Sequence, residues 1–134
     1  MIVLKSFSDT KAVVTFKNSI TTRTNPWITG LYRPNGLYSK IKNNRITILD
    51  VENDYSLRGF NLNVYFYGLF IHIGRKNFLF GHIGPPMLFS AFILLVLICP
   101  FEYLHIRIMV LLFWAIVYLK DINKINYLRE FVIK

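Results

Sequence analysis

The 134-residue chain is 54% hydrophobic and 16% aromatic, yet only 17% charged, and it carries a formal net charge of +9. An ordinary soluble domain is about 25% charged, and a chain this short has little interior in which to hide so much apolar surface; this excludes a solvated, disordered or acidic protein. The single cysteine, Cys99, excludes an intramolecular disulfide framework and, set in an apolar run, reads as a small hydrophobe and not as a reactive thiol.

From the start, residues 1–84 read as short strands separated by turns. Ile2–Phe7 and Ala12–Lys17 are strand-like and flank Ser8-Asp9-Thr10. Trp27–Tyr32 and Leu37–Lys42 flank Arg33-Pro34-Asn35-Gly36, a turn sequence because Asn and Gly accept positive φ. Asn43-Asn44 precedes Ile46–Val51. After Glu52-Asn53-Asp54 come Phe60–Ile73, the turn 74–77, and Phe78–Ile83. Closely spaced strands of this kind predict an antiparallel β meander of six to eight strands, closed as a small barrel or sandwich. Within 60–73, Leu62, Val64, Phe66 and Phe70 share one face, while Tyr65, Tyr67, Leu69, Ile71 and Ile73 share the other, so both faces call for cover.

The second half is more apolar. Asn77 to Phe101 contains no Asp, Glu, Lys or Arg, and Ile108 to Leu119 forms a second apolar run, with Pro100, Glu102, His105 and Arg107 between the two dense segments. The pattern predicts a transmembrane helical hairpin over 85–119 with its turn near 100–103. Residues 1–84 hold eleven Lys/Arg against four Asp/Glu, and residues 120–134 hold four against two. Basic flanks mark the cytoplasmic or organellar matrix side, so both termini are expected there, with a short amphipathic tail over 120–134. The expected fold class is thus an α+β membrane protein, and the expected localisation is integral membrane. Arg107, Trp114 and Tyr118 are the candidate membrane-interface residues, with Arg107 reaching for headgroups and the aromatics forming a belt.

Candidate chemistry is sparse. Asp50, Glu52 and Asp54 alternate, as residues sharing a strand face do, but Tyr55 and Asn61 break the pattern of a calcium loop. His72, His82 and His105 lack metal-ligand spacing, and no phosphate-binding loop or nucleophile elbow is present. No cofactor is expected, and an enzyme is the weaker class. Lys40, Lys42 and Arg45 cluster at one turn and Arg75 and Lys76 at another, which makes them the candidate lipid- or partner-binding residues. The expected function is a non-catalytic integral membrane protein. Its basic β domain would dock a partner or anionic lipid, and its hairpin would anchor it or pack into a larger membrane complex. Expected partners are membrane lipid and other membrane proteins, and the membrane run argues against nucleic acid. The alternatives are a small membrane enzyme or transporter element using Asp50, Glu52 and Asp54, and a membrane toxin-immunity or regulatory protein.

Overall fold

The computed structural model describes residues 1–29, 33–51, 63–85, 87–98 and 104–134. In chain order the elements are β1 (Ile2–Phe7), α1 (Thr10–Arg23), β2 (Asn25–Pro26), β3 (Gly36–Lys42), β4 (Arg45–Val51), β5 (Val64–Ile73), β6 (Lys76–Gly84), α2 (Met87–Ile98), α3 (Leu104–Lys120) and α4 (Ile122–Ile133). One six-stranded sheet runs in the order β1-β6-β5-β4-β3-β2. Strands β3 to β6 and β1 pair antiparallel, while the two-residue β2 lies parallel to β3, so the sheet is mixed. Tight turns fix the register: Asn43 has φ 54° between β3 and β4, and Gly74 has φ 62° between β5 and β6, values that Asn and Gly tolerate best.

The barrel or sandwich expectation is corrected at α1. Residues Ala12–Lys17 look strand-like because Val13, Val14 and Thr15 are β-branched, yet they lie in a fourteen-residue helix. Asp9 supplies the reason: its carboxylate accepts from the Ala12 backbone N–H at 2.7 Å, an N-cap that starts the helix. Val13, Phe16 and Ile20 then follow helical spacing and are all buried. With a helix where a strand was expected, and no strand at 27–29, the sheet stays open and is covered on one face by helices.

That covered face holds the main core. Alternation along β5 buries Val64, Phe66 and Phe70, which meet Val3 and Phe7 of β1, Ile46 and Ile48 of β4, and Leu79 and Ile83 of β6. Helix α1 brings Val13, Phe16 and Ile20 to it, and α4 brings Ile125, Leu128, Phe131 and Val132. Phe7, Phe16 and Phe70 form a triad with centroids 5.2–6.2 Å apart, tilted as ring quadrupoles prefer. Two cations seal the helix layer. Lys5 Nζ donates to the carbonyls of Val132 (3.3 Å) and Ile133 (2.6 Å) at the α4 C-terminus, where a positive charge is favoured, and it sits 4.6 Å from the Phe16 ring centroid. The Arg23 guanidinium lies 4.1 Å over Phe131. The segment expected as a surface tail therefore folds back against the sheet.

The membrane expectation is overturned. Among the described residues no helix is long and apolar enough to cross a membrane. Helix α2 has twelve residues and α3 seventeen, about 18 and 25 Å at 1.5 Å per residue, against about 30 Å of hydrocarbon. The expectation rested on the two charge-free apolar runs, neither of which forms a described helix long enough to span; the turn expected near 100–103 lies outside the described residues. A transmembrane hairpin, an integral membrane localisation and the functions built on them are not supported.

Candidate functional site: the open face of the sheet

Helices α1 and α4 occupy one face of the sheet. On the other, the register aligns side chains in rows that cross five strands. One row is Lys42, Arg45, Leu69, Phe80 and Leu4; the next is Lys40, Thr47, Tyr67, His82 and Ile2. At about 4.8 Å between strands each row spans about 19 Å. Its composition changes along the way, from cations on β3 and β4 to apolar and aromatic groups on β5, β6 and β1. Ile2 and Leu4 are 68% and 67% exposed, and Leu69 and Phe80 are also bare. An open groove of about 570 Å³ runs between Arg45, Thr47, Tyr67, Leu69, Phe80 and His82. Farther along the same face, Tyr38, Leu49 and Val51 are buried beneath Trp27 and Tyr65, with Arg33 over the Trp27 ring at 4.8 Å. Among the described residues cover is thus supplied at one end of the face only.

The structure brings the five candidate binding residues to one end of this sheet. Lys42 and Arg45 flank the β3–β4 turn and Lys40 stands one step inward, while Arg75 and Lys76 belong to the exposed β5–β6 turn beyond the same end. Among the described residues none of the five forms an ion pair. Lys17 is differently placed: its Nζ donates to the Asn43 carbonyl at 3.1 Å and lies over Phe70 on the helix side.

The remaining candidates do not converge. Asp50 lies in β4, while Glu52, Asp54 and Cys99 are outside the described residues. His72 is the penultimate residue of β5, its Nδ1 2.8 Å from Asn77 Oδ1, and His105 stands at the start of α3. No cluster of three or more His, Cys, Asp or Glu able to hold a metal occurs among the described residues. Arg107 and Trp114 lie half-buried on α3. Tyr118 packs its ring 5.2 Å from Trp114 and donates its hydroxyl to the Ile83 carbonyl at 3.2 Å, tying α3 to the sheet. Trp114 and Tyr118 thus pack against each other and, through Tyr118, against the sheet.

His82 lies in the groove with its pKa displaced from the ordinary histidine value. Burial lowers it, and the positive amino group of Met1 adds to the effect. A histidine whose folded pKa is depressed favours the neutral form in the fold. Its contribution is therefore present above the unfolded value of about 6.5 and is lost as pH falls through the folded value. The midpoint of urea unfolding is expected to decline as pH drops below about 6.5, and His82→Gln is expected to flatten that decline; an identical pH profile in the variant would contradict the assignment.

Sequence reasoning found the cations but not the apolar half of the rows. Ile2 and Leu4 join Phe80 and Leu69 only because β1 pairs with β6, which places Leu4 opposite Phe80, 76 residues away, a separation that no local pattern reports. The one signal was the apolar content of both faces of β5. No protein-family model, no curated protein and no solved structure matches the chain.

Proposed function

We propose that the protein is a non-catalytic docking protein whose open sheet face receives an acidic, amphipathic helix of a partner protein. The observation that carries this reading is the pair of registered rows, cationic on β3 and β4 and apolar on β5, β6 and β1. Sheets bury an apolar face against a second layer, and among the described residues that layer is present on one side only. A helix aligned with the strands would set apolar side chains over Tyr67, Leu69, Phe80, Ile2 and Leu4. Acidic residues along one flank would then meet Lys40, Lys42 and Arg45. The apolar half disfavours nucleic acid, which would call for stacking aromatics spread among the cations. A second copy of the chain, itself at +9, offers the wrong charge.

The probe is a synthetic helix of about four turns with leucines on one face and glutamates along one flank. It is expected to bind the full chain in a salt-sensitive manner. Lys40→Glu, Lys42→Glu and Arg45→Glu together are expected to weaken it by roughly tenfold or more. Equal binding by a version carrying lysine for glutamate, or by the charge-reversed chain, would overturn the reading.

A further inference from the structure

Helices α2 and α3 touch one another and leave their outer surfaces bare. Ile93 is buried in α2, with Val96 and Leu97 half-buried beside it, and Val110, Trp114 and Val117 are half-buried on α3. On the opposite side of α3, Met109, Leu112, Ile116 and Leu119 are 67%, 58%, 64% and 64% exposed. Their spacing of three, four and three residues is that of a coiled-coil seam, in which each apolar knob enters a hole on a neighbouring helix. Leu94, Leu95 and Ile98 of α2 are bare as well. Helix α3 contributes no buried residue of its own.

We infer that this surface joins two copies of the chain, the α2–α3 pair of each packing against the other as a four-helix layer. Three observations select a second copy as the occupant. The exposed apolar side chains of the two helices sum to an area on the order of 1,000 Å² per chain, beyond what a monomer commonly leaves bare and enough for a stable dimer. Between Ile108 and Leu119 neither charge nor hydrogen-bonding side chain is present except Trp114 and Tyr118, so the surface asks for a partner of its own polarity and selects no other by charge. Of the sixteen Lys and Arg only Arg107 and Lys120 lie in α2 and α3, so pairing through these helices keeps most of the positive charge out of the contact. A two-fold axis repeats each seam residue on both sides, as isologous interfaces do. This inference is independent of the docking reading for the sheet face.

The test is sedimentation equilibrium of the full chain at micromolar concentration, beside Leu112→Glu/Ile116→Glu and Leu112→Ser/Ile116→Ser. The parent is expected at twice 15.8 kDa. Both double variants change exposed positions, so each is expected to keep the far-ultraviolet spectrum of the parent while its dimer dissociation constant rises by about a hundredfold or more. A parent that stays monomeric across the concentration range would overturn the inference. So would a dimer insensitive to both variants, or a monomeric parent that partitions onto neutral phospholipid vesicles through Leu112 and Ile116.

Discussion

Truncating Phe66 to alanine is expected to cost the fold about 3–5 kcal/mol. Phe66 is fully buried at the centre of the sheet's covered face, where its ring lies across Gly68 and Gly81, neighbours on β5 and β6. A Cβ added at Gly68 would stand 2.8 Å from the ring, 2.7 Å from Ile46 and 2.8 Å from Leu79, and one at Gly81 would meet the ring more closely still and approach the Tyr67 carbonyl at 2.9 Å. The two glycines are thus the recess that holds the phenylalanine. Gly81→Ala is accordingly expected to destabilise by about 1–3 kcal/mol, although alanine in a strand interior is ordinarily the better residue. In a Phe66→Leu background the same change is expected to cost less, because the ring it strikes is gone. Urea unfolding of the four members of that cycle measures the coupling, and additive costs would contradict the recess.

Leu128→Ala is expected to cost about 2–5 kcal/mol, whereas Tyr127→Ala, one residue away and 55% exposed, is expected to change stability by about 0.5 kcal/mol or less. Leu128 is fully buried between α4 and the sheet, alongside Ile125 and Val132. The contrast distinguishes a C-terminal helix that completes the core from one lying loosely on the surface, for which the two substitutions would have similar effects. Thermal unfolding of both variants reports the difference directly.

Much of the sheet was legible in the chain. The strands β1, β3, β4 and β6 fall where alternating apolar residues and turn sequences place them, and β5 presents the two faces read from its pattern. Helix α1 was not legible from propensity, because β-branched residues at 13–15 imitate a strand. Its signal was the Asp9 cap followed by apolar positions three and four apart, and a short-range cap outweighed residue preference. The apolar run beyond residue 84 misled for a different reason. Hydropathy reports how much a segment avoids water but not what covers it, and exposed helices joined to a protein neighbour have the same composition as helices in lipid. Likewise Lys42 and Arg45 were visible one by one, while their alignment with Leu4 and Phe80 depends on pairing between the two ends of the β region.

Methyl and amide NMR of the full chain during titration with the acidic amphipathic helix tests the docking reading most directly. The perturbed signals are expected to be those of Ile2, Leu4, Thr47, Tyr67, Leu69 and Phe80, with Ile20, Leu128 and Val132 on the covered face unmoved. Perturbations concentrated on α2 and α3, or spread without regard to face, would contradict it.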